Sequence, residues 1–146
     1  MAPPKKTLNP LVNFMFLVDA GTSQAGFSEV IIPQASVEVI EYREGGEAVT
    51  STRKIAGRTS YGNLILKRGM SFSQDLYDWW EKSAGGLPER RNVIVSVLDA
   101  SHTVVKRFNF RNAWPVRYEA SDLNAKGNEV LIEELELTHE GMTVEV

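Results

Sequence analysis

Asn92-Val93-Ile94-Val95-Ser96-Val97-Leu98-Asp99-Ala100-Ser101-His102, followed by Thr103-Val104-Val105-Lys106-Arg107-Phe108-Asn109-Phe110-Arg111, reads as two strands joined by a tight turn. In the first half Val93, Val95 and Val97 oppose Ile94 and Leu98, the most apolar strand pattern in the chain. Asp99 to His102 supplies the turn chemistry. The return half alternates, with Val104, Phe108, Phe110 and Trp114 on one face and Arg107, Asn109 and Arg111 on the other. Lys106 interrupts the apolar side where a long side chain can still reach water. A period of two over this length is the signature of a half-buried strand pair. Pro115 is expected to close the second strand or hold it at a sheet edge, because proline donates nothing to a ladder.

Working outward, most other segments carry the same period. Val12, Phe14, Phe16 and Val18 share one face of a first strand, with Asn13, Met15, Leu17 and Asp19 on the other. Phe27 to Ile32 is β-branched and apolar, and Pro33 is expected to mark a bend where the chain passes from one sheet to another. Ser36 to Tyr42 resumes as a strand, placing Val37 and Val39 opposite Glu38, Ile40 and Tyr42. Gly45-Gly46 is a turn signal. Glu47 to Arg58 is polar and lacks alternation, so an exposed hairpin or loop is expected there. An isolated two-stranded hairpin is marginal in water and would order best against a neighbour. Tyr61 to Arg68 follows as a strand with Leu64 and Leu66 inward.

One helix is expected after Ser71. Ser71 and Gln74 have capping-box spacing, with Ser73 and Asp75 as the alternative start. Leu76 and Trp80 sit four apart with Trp79 beside them, and Gly85-Gly86-Leu87-Pro88 ends the element. Asn124 to Asn128 is the last turn, and Val130 to Leu137 the final strand. Its apolar phase slips between Ile132 and Leu135, which predicts a β-bulge near Glu133-Glu134. The sum is a mainly β fold: a small antiparallel barrel or sandwich with one short helix and an extended arm.

Bulk composition excludes several classes. The 146 residues suffice for one core and are 42% hydrophobic and 24% charged, the balance of an ordinary globular chain. Residues 1–8 read as a flexible tail and 9–146 as a single domain. A formal charge of -3 argues against a dedicated nucleic-acid binder. The longest apolar run, near Phe14 to Val18, is far short of a membrane helix. With no cysteine and two histidines, His102 and His139, read as solvated turn residues, no metal site or cofactor is expected. Phosphate-cradling glycine signatures are missing, and no serine stands in a nucleophile elbow. Glu133 and Glu134 are adjacent, hence on opposite faces of a regular strand, and make a poor acid/base pair. No catalytic residue is assigned. The alternative to a structural protein is a monomeric β-barrel binding module, with Trp79, Trp80 and Trp114 as its platform.

Charge is segregated along the chain. Arg43 to Arg117 is rich in Lys and Arg. Asn128 to Val146 has neither, yet holds Glu129, Glu133, Glu134, Glu136, Glu140 and Glu145.

Phe27-Ser28-Glu29, Tyr42-Arg43-Glu44-Gly45-Gly46, Gly57, Leu66-Lys67-Arg68-Gly69, Trp79-Trp80, Asn112-Ala113-Trp114-Pro115, Asn124 to Asn128 and His139-Glu140-Gly141 occur in that order. This ordered set resembles the tail tube proteins of contractile phages and the inner tube proteins of contractile injection systems, with type VI secretion tube proteins similar in fold. The resemblance implies a β-barrel of two packed sheets with a flanking helix, forming hexameric rings that stack into a tube. The implied partners are further copies of the chain, a surrounding sheath, baseplate and tube-terminating proteins, and a cargo of DNA or effector protein. It also implies synthesis in a bacterial cytoplasm and assembly into a virion tail or injection particle, without membrane anchoring. The arm from Arg43 to Arg58 is implied to touch neighbouring subunits through Tyr42, Arg43, Glu44, Gly45, Gly46, Arg53, Lys54 and Arg58, joined by Lys67 and Arg68. The lysine-free C-terminal stretch places Glu129, Glu133, Glu134 and Glu136 as candidates to face the bore.

Overall fold

A computed structural model describes residues 15–21, 26–46, 52–127 and 129–146. The expected tail (1–8), Val12, Phe14, the polar run 47–51 and Asn128 lie outside the described residues. Among the described residues nine strands and one helix follow in order: β1 (Phe16–Asp19), β2 (Glu29–Ile31), β3 (Ala35–Tyr42), β4 (Arg53–Tyr61), β5 (Leu64–Gly69), α1 (Asp75–Ala84), β6 (Arg91–Leu98), β7 (Val104–Ala120), β8 (Ile132–Thr138) and β9 (Gly141–Glu145). All pairings are antiparallel.

β7 organises the fold. Its 17 residues pair through their first half with β6 and β9, and through their second half with β8. The result is one path, β1-β6-β7-β8-β5-β2, folded at β7 into two layers that share a core. Val18, Val93, Val95 and Phe110 face that core from one layer and Leu64, Leu66, Leu135 and Leu137 from the other. Hydrogen bonding does not close a barrel: among the described residues β1 and β2 end the path.

The fold point explains the Asn112-Ala113-Trp114-Pro115 word. Asn112 takes φ 51°, a left-handed conformation that asparagine tolerates better than most residues, and this re-aims the strand. Pro115 is buried within β7, opposite Leu137, where the register slips before Arg117. It therefore does not close the strand, but among the described residues β7 has β8 as its one partner from Trp114 on, so Pro115 does lie in a sheet-edge stretch. A bulge in the interior of a long strand tolerates the missing N–H donor.

The helix is held by tertiary contact rather than by its cap. Gln74 is the N-cap and makes no side-chain capping bond, so the Ser71–Gln74 box is not formed; Ser73 Oγ instead donates to Asp75 at 2.8 Å. Leu76 and Trp79 are the buried pair, spaced three rather than four, and Trp80 is half-buried. The Trp79 indole N–H donates to Glu89 O at 2.7 Å and its ring lies 4.5 Å from the Arg91 guanidinium carbon. Gly86, at φ 87°, ends the helix as the glycine pair suggested.

The expected bulge at Glu133-Glu134 is overturned. β8 pairs with β5 in unbroken register from Ile132 to Leu137, and its alternate residues Glu133, Leu135 and Leu137 all point inward. The slip in apolar phase is a glutamate in a core position. β8 is also not the last strand. β9 follows after His139-Glu140 and continues the line of β8 along β7.

Candidate functional site

Among the described residues β3 and β4 pair only with each other and form a ribbon apart from the two layers. Pro33 lies between β2 and this ribbon, so the bend expected there does carry the chain from one sheet to another. The arm is longer than its polar run suggested, starting at Ala35 and ending at Tyr61. Its apolar residues sit on both sides. Ile40 opposes Ile55 on one face, and Val39 opposes Ala56 on the other. Val37, Val39, Ile40, Tyr42 and Ile55 are all exposed. Gly57 lets the Ile40 side chain lie flat across β4: an added Cβ would stand 3.0 Å from it. Exposed apolar surface on both faces of a two-stranded ribbon is unstable in water and marks an interaction surface.

Of the residues expected at subunit contacts, Tyr42, Arg43, Glu44, Gly45, Gly46, Arg53, Lys54 and Arg58 are exposed along this arm or at its turn. Tyr42 is directly opposite Arg53, and Glu41 opposite Lys54. The apolar set Val37, Val39, Ile40 and Ile55 was not among the expected contacts, because residues 36–42 were expected as a strand and the arm only from Arg43 on. The signal was present: apolar side chains at both parities between a proline and a double glycine suit no one-sided sheet.

Lys67 and Arg68 part company. Lys67 points outward, half-buried, within 3.5 Å of Glu29 and 3.6 Å of Glu134. Arg68 points inward and is 3% exposed, so it is no surface contact. It sits directly opposite Glu133, itself 2% exposed, and pairs with it. The same guanidinium pairs with Asp75 at the start of α1, and Tyr118 on β7 donates its hydroxyl to Glu133 at 2.8 Å. The Phe27 ring lies 5.7 Å from the guanidinium carbon. This network spans β5, β7, β8 and α1 and plugs one end of the core. Burial, then the bond to Glu133, pushes the Tyr118 hydroxyl up to about 12. Burial alone would raise Asp75, but hydrogen bonds from Arg68 and Ser73 reverse it and hold it below the ordinary range. Glu133 is therefore removed from any bore-facing set: a carboxylate shut inside the protomer lines nothing.

Glu134 and Glu136 face outward on the same layer. Arg117 reaches Glu134 at 3.2 Å and Glu136 at 3.1 Å, and Asn63 donates to Glu136 at 2.8 Å. With Glu29, Glu119 and Lys67 this face is a laced set of four carboxylates and two cations, acidic but not bare. Glu129 is exposed in the loop before β8, apart from the ladder.

The tryptophan platform is not assembled. Trp79 is enclosed at 1% exposure, with Arg91 on its face, and Trp80 and Trp114 are half-buried. Among the described residues no three His, Asp or Glu side chains are grouped to hold a metal, and no helix is long and apolar enough to cross a membrane.

Two packed antiparallel layers, a clamped flanking helix and a ribbon that no other described strand covers make up the frame of an assembly subunit. The chain belongs to the T4-like virus tail tube protein gp19 family, whose pattern matches residues 12–143. It is a structural subunit of an inner tube. Among solved structures it is similar to a chain of the anti-feeding prophage baseplate, 6-fold symmetrised, at 27% identity and TM-score 0.82, covering 95% of this chain and 97% of that one. It is similar in fold to a chain of the PVC extracellular contractile injection system, sheath/tube terminator in extended state, at 22% identity and TM-score 0.85, covering 97% and 100%. Hcp1 from Flavobacterium johnsoniae shares the fold more loosely, at 16% identity and TM-score 0.53, covering 90% and 94%. No curated protein matches the chain.

Proposed function

We propose that this subunit forms six-membered rings that stack into a hollow tube within a contractile sheath, and that the arm 35–61 is the element that joins the copies. The carrying observation is the ribbon β3–β4, apolar on both faces and paired with no other strand among the described residues. Covering it with neighbouring copies removes that exposed surface and shields two strand edges from indiscriminate pairing. Tyr42, Arg43, Glu44, Gly45, Gly46, Arg53, Lys54 and Arg58 then fix register around the apolar contact, with Lys67 at its margin.

The likeness to a six-fold baseplate component and to a sheath/tube terminator supports sheath, baseplate and terminator proteins as partners, and assembly in a phage tail or an injection particle. Glu134 and Glu136, with Glu29 and Glu119, form the wall of the bore, and Glu129 lies at its rim. An acidic wall suits passage of DNA, because like charge prevents the counterion release that drives phosphate binding. The laced pairs to Arg117 and Lys67 suit passage of protein effectors as well, by leaving few bare charges. The test is imaging of purified protein by electron microscopy. Six-fold annuli or tubes are expected from the parent chain and none from Ile55→Glu, while both remain folded by circular dichroism. Tubes from Ile55→Glu as abundant as from the parent would refute the role of the arm.

A further inference from the structure

Among the described residues the arm joins the body at its root, around Pro33–Gln34 and Tyr61–Asn63, and the root is gripped by one line of side chains. Gly62 N–H donates to Gln34 O at 2.9 Å and closes the base of the ribbon. His139, at the link between β8 and β9, lies 2.9 Å through Nε2 from Gly62 O. A carbonyl only accepts, so Nε2 is the donor. Nδ1 is buried with no polar partner among the described residues, so the ring is placed for its Nε2–H and its shape. That ring stands edge-on to core residue Phe110 at 5.1 Å and tilts against Tyr61, the last residue of the arm, at 5.8 Å. Asn63 to Glu136 is the second tie.

The link is itself immobilised. Glu140 N–H donates to Arg111 O at 2.8 Å, Asn112 Nδ2 donates to the Glu140 carboxylate at 2.8 Å, and Arg111 donates to Glu140 O at 2.9 Å. His139 is thus a wedge fixed on one side to the fold point of β7 and on the other to the root of the arm.

We propose that His139 is the positioning residue that sets the angle of the arm in the free subunit, so that the ribbon meets the next copy already oriented. The inference rests on the arm being the joining element. A pre-oriented ribbon loses less conformational freedom on docking, which speeds assembly without adding a contact.

The chain has no cysteine, so Gly45→Cys and Arg107→Cys place two spin labels uniquely, one at the arm turn and one on β7. In dilute, unassembled protein the parent is expected to give a single narrow distance distribution. His139→Ala and His139→Phe should broaden it, and His139→Gln, which restores a donor toward Gly62 O, should narrow it again. Assembly of His139→Phe, followed by light scattering, should slow by about three- to tenfold, the scale of one net hydrogen bond. If His139 variants fail to fold, Asn63→Ala cuts the second tie at the surface and should broaden the distribution by itself. A distribution already broad in the parent, or unchanged in the variants, overturns the proposal. Broadening with an unaltered assembly rate also overturns it. Failure of the parent to form tubes would instead defeat the tube geometry proposed above, and the spin-label distances would still test the grip.

Discussion

Replacing Arg68 by Leu tests the plug at the end of the core. Arg68 and Glu133 are 3% and 2% exposed, and the carboxylate has two donors, the guanidinium and the Tyr118 hydroxyl. Arg68→Leu leaves a buried carboxylate with one neutral hydrogen bond, a loss of about 3–5 kcal/mol. That is a large share of the roughly 5–15 kcal/mol that a domain has. Glu133→Leu strands the guanidinium instead, but Asp75 still pairs with it, so the cost falls at the lower end of the same range. In the double variant no fully buried charge is left alone. Asp75 keeps Ser73 and partial access to water, and the residual cost is the orphaned Tyr118 hydroxyl, about 1–3 kcal/mol. The double variant is thus expected to be more stable than either single one. The assay is urea unfolding followed by tryptophan fluorescence at dilution that keeps the subunit unassembled. Effects of the two singles that add within about 0.5 kcal/mol in the double would show that the pair is not coupled and would refute this account of the core.

Trp79→Ala should cost about 3–5 kcal/mol by the same assay, and Trp80→Ala clearly less, because only the first indole is enclosed. His102, exposed at φ 65° in the β6–β7 turn, is strained for a side-chain-bearing residue. His102→Gly should therefore raise the unfolding midpoint by the equivalent of about 0.5–1 kcal/mol. Stability should fall in acid. Asp75, Glu134 and Glu136 are held below their ordinary values of 3.8, 4.5 and 4.5, so their contribution is present above those values and lost as pH drops through the depressed ones. Tyr118 acts in the opposite sense. Raised from 10.0 to about 12, it gives stability that is full below pH 10.0 and disappears as pH climbs toward 12, measurable by alkaline unfolding of the parent against Tyr118→Phe.

The sequence by itself determined the β6–β7 hairpin, the inward Leu64 and Leu66, the glycine stop of the helix and the bend at Pro33. Each depends on neighbours a few residues away, and alternation or turn chemistry reports such neighbours directly. It also carried the ordered words that mark the family. What it could not disclose depended on partners far along the chain. Glu133 looked like a break in the apolar phase because its counter-charge, Arg68, lies 65 residues off and meets it only across the β5–β8 pair. Pro115 looked like a strand end because nothing local reveals that β7 bends there and exchanges β9 for β8 as its partner. His139 looked like a solvated turn residue, yet tertiary structure wedges it between Phe110 and the root of the arm. The extent of the arm was likewise decided by packing. Ser36 to Tyr42 has the period of any strand, and only the three-dimensional fold shows that neither of its faces meets the core.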